Sequence, residues 1–133
     1  MITIEIPGKP FAKQRPRFSR KSGRAFTPAA TVSFESTVGT LAAQHIKQPL
    51  TGPIRITIRA TFEPPQSWSK KKTAEHLNRP HVQRPDLDNI GKAICDGLNR
   101  IAFADDSQIA EMNIRKVWGP VARTIVSLEQ LPT

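Results

Sequence analysis

All five aspartates of this chain lie between Asp86 and Asp106: Asp86, Asp88, Asp96, Asp105 and Asp106. The six other acids are glutamates scattered elsewhere. Lys92 follows Asp88 by one helical turn in RPDLDNIGK, and an adjacent aspartate pair stands in ADDSQ. Short carboxylates gathered in one volume repel one another, which raises their pKa values or unfolds the site unless a cation intervenes. Oxygen-only ligands suit Mg²⁺ or Mn²⁺, with one or two carboxylates, waters and a substrate phosphate as the usual Mg²⁺ arrangement. Such an ion can polarise a phosphodiester oxygen, lower the pKa of a bound water and steady the leaving oxygen. A lysine beside it could stabilise developing negative charge or hold the attacking water.

A purely structural reading competes with this one. An aspartate at a helix N-terminus caps orphan N–H groups and suits the helix dipole, and Asp88 with Lys92 forms an i, i+4 pair. Two aspartates flanking Leu87, followed by an adjacent pair past the helix end, are more than capping requires. Spacing alone leaves a metal site and a capping role both open.

The window needs a helix to position it. Pro85 disfavours helical geometry at Arg84, so the helix cannot start much before Asp86, and Asp88 to about Ile101 is predicted helical. Ile90, Ile94, Gly97, Leu98 and Ile101 share one arc and face the core; Asp88, Lys92, Asp96 and Asn99 lie opposite. Asp96 and Asn99 read as surface helix residues. Such a helix is roughly 20 Å long, so Asp106 meets Asp86 only if the chain doubles back after Ile101. A strand over 109–118 would do this.

Elsewhere the pattern is that of one α+β domain, 1–133, with a small mixed or antiparallel sheet packed with two to three helices. Residues 2–6 alternate as a strand, and 9–26 form a basic loop too rich in Pro, Gly and charge for a regular element. Thr27 as N-cap and Pro28 at the first helical position open an amphipathic helix striped by Phe34, Val38, Leu41, Ala42 and Ile46. IRITIRATF, 54–62, is a strand with Ile54, Ile56, Ile58, Ala60 and Phe62 on its buried face. SWSKKKTAEHLN reads as a short helix capped by Ser67. Residues 109–118 and 121–129 read as strands around Gly119-Pro120.

The charge balance says what the domain meets. Twenty Lys and Arg against 11 Asp and Glu give +9 and a pI near 10.5, which favours a polyanion, nucleic acid before an anionic membrane. One cysteine, no membrane-spanning run and no signal peptide fit a soluble, cytoplasmic protein. Lys13, Arg15, Arg17, Arg20, Lys21 and Arg24 in the basic loop are candidate phosphate contacts, with Lys70, Lys71 and Lys72 as a second cluster. Lys9 belongs to the same acid-free run, and Arg55 and Arg59 could line the same surface. His76, His81 and Cys95 have the wrong spacing for structural zinc, Cys95 lacks an adjacent basic partner, and Trp68 and Trp118 read as packing residues.

The pattern D-L-D-N-x-x-K-A, here Asp86 to Ala93, with D-D-x-Q, here Asp105 to Gln108, resembles the RusA-type Holliday-junction resolvases, small and often prophage-encoded endodeoxyribonucleases. GKPFAKQRPRF, SWSKKK and IRKVWG extend the likeness over most of the chain. The resemblance implies a homodimeric α+β enzyme that cuts paired strands at a four-way DNA junction in a Mg²⁺-dependent reaction. It makes Asp86, Asp88 and Asp106 the metal-binding carboxylates and Lys92 the essential lysine, with Asp105 either a further ligand or a turn cap. The stretch between Phe62 and Arg84 is longer than the most compact members would need. Two other readings stand beside it: a non-catalytic module binding branched DNA or nucleic acid generally, and a Mg²⁺ phosphohydrolase acting on nucleotides, which would not need the basic arm.

Overall fold

A computed structural model describes residues 1–133. The chain forms β1 (Ile2–Pro7), β2 (Arg17–Phe18), β3 (Ala25–Phe26), α1 (Ala29–His45), β4 (Ile54–Phe62), α2 (Lys70–His76), α3 (Leu87–Leu98), β5 (Ile109–Trp118) and β6 (Arg123–Gln130). Four strands make one mixed sheet in the order β1-β6-β4-β5, with β6 antiparallel to both β1 and β4 and with β5 parallel to β4. Parallel neighbours need a long crossover, and α3 lies within it, so one βαβ unit stands in an otherwise α+β chain. Residues 119–122 carry the chain past β4, which is why β6 begins at Arg123 and does not pair with β5.

Alternation in β4 sorts the sheet into two faces. Ile54, Ile56, Ile58, Ala60 and Phe62 are all buried, whereas Thr57 and Arg59 are exposed. α1 and α3 cover the isoleucine face, joining Val38, Ala42 and Ile46 to Ile94, Leu98 and Phe103 in one core. The two helices meet closely at Gly97, where a Cβ would lie 2.8 Å from Val38 Cβ. α3 also lies tight on β5, since a Cβ at Gly91 would lie 2.5 Å from Ile114 Cδ1. A second small cluster of Ala60, Phe62, Ile90 and Trp118 closes the other end, with Trp68 packed on it. Both tryptophans are packing residues.

Several boundaries differ from the sequence reading for local reasons. α1 starts at Ala29 with Pro28 as its N-cap, because the Pro28 carbonyl already accepts from Thr31 N and Val32 N. α2 is capped by Ser69, not Ser67, since the Ser69 hydroxyl accepts from Lys72 N at 3.1 Å. α3 ends at Leu98, where Arg100 adopts a left-handed φ of 69° and turns the chain back toward β5. The basic loop contains a short ribbon, β2 paired with β3. No helix is long and apolar enough to cross a membrane.

Candidate active site

The aspartate window divides into carboxylates that have partners and carboxylates that do not. Asp86 is the N-cap of α3 by backbone position, but its side chain bonds none of the helix N–H groups. Asp88 follows in the first turn, exposed. Neither Asp86, Asp88 nor Asp106 belongs to any ion pair; the paired acids are Glu5, Glu35, Asp96, Glu111 and Glu129. The expected i, i+4 pair of Asp88 with Lys92 is absent. Lys92 bonds in the other direction, to Asp96 Oδ1 at 3.2 Å.

Asp96 is not the solvated helix residue the sequence suggested. Its side chain is 17% exposed, and Oδ2 accepts from Lys13 Nζ at 2.6 Å. Burial pushes the Asp96 carboxyl up, but the ammonium groups of Lys13 and Lys92 outweigh it and hold it below the usual carboxylate range. Lys13 also bonds Glu35 at 3.0 Å, and Asp96 first, then Glu35, raise its pKa against burial. Lys13 is therefore held in ion pairs at the root of the arm. Its backbone N–H donates to Asn89 O at 2.9 Å, and Phe11 stacks on Phe34 with centroids 4.8 Å apart. The periodicity already put Asp96 one turn from Lys92, but Glu35 and Lys13 are too distant in sequence to signal the rest.

Beyond that root, Arg15, Arg17, Arg20, Lys21 and Arg24 are exposed and free of ion pairs. A cleft of about 690 Å³ opens between Lys9–Ala12 on one wall and Arg84, Pro85, Asp86 and Asn89 on the other. Next to it, a cleft of about 370 Å³ is lined by Lys13–Pro16, Asp88, Asn89 and Lys92. Asp86, Asp88 and Lys92 thus face grooves whose far walls are the basic arm. Lys116, which nothing in the sequence singled out, donates to Gln83 O at 2.6 Å and Pro85 O at 2.7 Å, fixing the segment that delivers Asp86.

The DDSQ turn separates its two aspartates by role. Asp105 caps a single 3₁₀ turn, Asp106–Gln108, accepting from Ser107 N at 3.0 Å; the Ser107 hydroxyl first, then its N–H, hold the Asp105 carboxyl below the usual range. Gln108 completes the capping box by accepting from Asp105 N and donates to Leu50 O and Gly52 O at 3.0 and 3.1 Å. Asp105 therefore has the capping role, and Asp106 is the free member. Asp106 stands within electrostatic reach of the middle of α3: burial first, then the charges of Asp106 and Asp96, push the Cys95 thiol up to about 11. Cys95 is a buried, protonated core residue, not a nucleophile.

No three Asp, Glu, His or Cys side chains stand close enough together to ligate one ion. The chain does not close on itself around a metal, and His76 and His81 belong instead to an aromatic stack with Trp68, Phe62 and Trp118. Asp86, Asp88 and Asp106 each keep unpartnered carboxylate oxygens, the donor type that a hard divalent cation takes. Among the other candidates, Lys70, Lys71 and Lys72 are exposed in the first turn of α2, with Lys72 Nζ 4.5 Å from the Trp68 ring centroid. Arg55 is neutralised by Glu111 and Glu129, which leaves Arg59 as the strand's unpaired, exposed cation.

Comparison with known families places the chain. A family model described as Endodeoxyribonuclease RusA matches residues 7–129, a span that holds the arm, both aspartate motifs and the whole of β4 to β5. The chain belongs to the RusA endodeoxyribonuclease family. A relative, described as the uncharacterized protein YqaN of Bacillus subtilis (strain 168), is 30% identical over 138 aligned positions, covering 98% of this chain and 96% of that protein. For a RusA-family chain the relevant bond is the DNA phosphodiester. A basic arm facing partnerless carboxylates is chemically suited to it, because phosphates are drawn to the arm and the carboxylates can recruit a cation to meet them.

Proposed function

We propose that this RusA-family chain is a Mg²⁺-dependent, structure-selective endodeoxyribonuclease that resolves four-way DNA junctions by paired phosphodiester hydrolysis in recombination and repair. The observation that carries this reading is that Asp86, Asp88 and Asp106, alone among the window's aspartates, lack partners, and that the grooves beside α3 are walled by the arm. Arg15, Arg17, Arg20, Lys21 and Arg24 bind backbone phosphates, with Lys70, Lys71 and Lys72 as a second contact. Such contacts orient the duplex without reading its sequence. Asp86 and Asp88 would hold the cation at the head of α3, and Asp106 would join them only if binding DNA brings it nearer than it stands in the free chain. A Mg²⁺ ion bound there, or Mn²⁺ in its place, would supply polarisation of the phosphodiester and a lower pKa for an attacking water. Lys92 donates to charge developing on the phosphate oxygens from the same groove.

Two nicks on opposing strands require two such sites, and a homodimer with two-fold symmetry matches a pseudo-symmetric junction. A non-catalytic branched-DNA binding module is the second reading, favoured only by the lack of a closed three-ligand cluster. Incubation of the purified protein with an end-labelled synthetic four-way junction, with and without Mg²⁺, separates the two. Symmetric nicks that need Mg²⁺ and are absent on linear duplex are expected. Binding without nicking under any divalent ion would leave only the module.

A further inference from the structure

Asp96 sits where helix energetics do not favour it. It lies in the last turn of α3, which ends at Leu98, and a carboxylate there opposes the helix dipole. Its i, i+4 pairing has the lysine on the N-terminal side, the weaker of the two orientations. Lys92 had the better-oriented acid available in Asp88, one turn toward the N-terminus, yet bonds Asp96. Meanwhile each Asp96 oxygen serves a different lysine: Oδ1 takes Lys92 and Oδ2 takes Lys13. What retains Asp96 is tertiary, and both of its partners belong to the grooves: Lys13 roots the arm, and Lys92 lines the cleft with Asp88.

We infer that Asp96 is a positioning residue that holds Lys92 off Asp88, so that the Asp88 carboxylate stays free for a cation while the lysine stays beside it. This rests on the proposed nuclease reading for its consequence, but the contact itself does not. Remove the Asp96 charge, and Lys92 is left with Asp88 as its nearest acid along the helix, an i, i+4 pair of the favourable orientation. Lys13 retains Glu35, so the arm root stays anchored and DNA affinity changes little.

Lysine-ammonium NMR and single-turnover cleavage together test it, in wild-type protein and in D96N, D96E and D88N backgrounds. In wild type, D88N should leave the Lys92 ammonium signal unchanged; in the D96N background it should shift that signal, because the pair has moved to Asp88. D96N should cut junctions about tenfold more slowly at limiting Mg²⁺, recover as Mg²⁺ rises, and keep its junction Kd within about threefold, and D96E should restore the rate. A Lys92 signal that answers to D88N equally in both backgrounds overturns the inference, as does D96N cutting with an unchanged Mg²⁺ requirement. Failure of the wild type to cut any junction would overturn the nuclease reading alone, and the NMR comparison would still decide whether Asp96 governs Lys92.

Discussion

The solvent face of the sheet and the exposed flank of α3 both mix acids with bases, and they resolve that mixture in opposite ways. On the sheet, register sets Arg55 across from Glu111 on β5 and Glu129 on β6, at 2.6 and 3.0 Å, and Arg123 reaches Glu5 at 2.7 Å. Those charges cancel within the protein. Along α3, Asp96 is claimed by two lysines and Asp105 by its own turn, while Asp86, Asp88 and Asp106 face outward with nothing bonded. Paired charge on an exposed sheet contributes little and needs no ligand. Carboxylates without partners keep all their acceptor oxygens available, which is why the proposed chemistry is assigned to them and not to the paired acids of the sheet.

The sharpest way to break the contrast is to remove an unpartnered carboxylate. Asp86→Asn or Asp88→Asn is expected to lower junction cleavage by about a hundredfold or more, with thermal stability unchanged or raised and junction binding retained. Wild-type rates in both variants would return these aspartates to a structural role. The next effect belongs to the arm. Replacing Arg17 and Arg20 together by Gln should weaken binding to every DNA and reduce the slope of log affinity against log salt by roughly 0.7–0.9 per lost phosphate contact. Arg55→Gln, drawn from the paired face, should leave that slope where it was. An equal change from both would mean the sheet face touches DNA as well.

A smaller effect is expected at Gln108, which is held by bonds and makes no contact with the proposed chemistry. Gln108→Ala removes the capping-box return and the bonds to Leu50 and Gly52, and should destabilise the fold by about 1–2 kcal/mol in urea titration. A negligible change would show that the turn is kept by Asp105 alone. The smallest effect concerns pH. Burial first, then Lys116 and Lys9, lower the His81 pKa beneath its ordinary 6.5, so the unfolded chain takes up its proton first. The stability this confers is intact above about pH 6.5 and is lost as pH falls toward the folded value. A thermal melt series across that range should slope downward on acidification, and His81→Phe should flatten it. An unchanged slope in the variant would assign the dependence elsewhere.

Much of the fold was legible because it rests on periodicity. The isoleucines of β4, the Val38–Ala42–Ile46 stripe and the Ile90–Ile94–Leu98 stripe all point where two-residue and helical repeats predict, since burial is decided locally by which face is apolar. Boundaries slipped by two or three residues where local geometry competed, as at Ser69 for α2 and at Arg100 after α3. The candidate site was legible to the extent that it is a motif. Asp86 and Asp88 were readable at the N-terminus of a helix that begins after Pro85, with Lys92 one turn along the face of Asp88, but the division between Asp105 and Asp106 was not. Which of two adjacent aspartates turns inward to cap depends on where Gln108 finds acceptors, and those lie in the Leu50–Gly52 segment, far away in sequence.

The sequence by itself determined a basic α+β chain whose aspartates collect on one helix and the turn that follows it. Helical spacing and residue chemistry suffice for that, because they act over a few residues. Only the tertiary structure decided which charges are free. Lys13 reached Asp96 and Glu35, and Arg55 found two glutamates, through contacts between segments far apart along the chain, while Lys92 took Asp96 in place of Asp88 within its own helix. An ion pair is settled by distances of a few ångströms, and those are set by how α3 packs on α1 and β5.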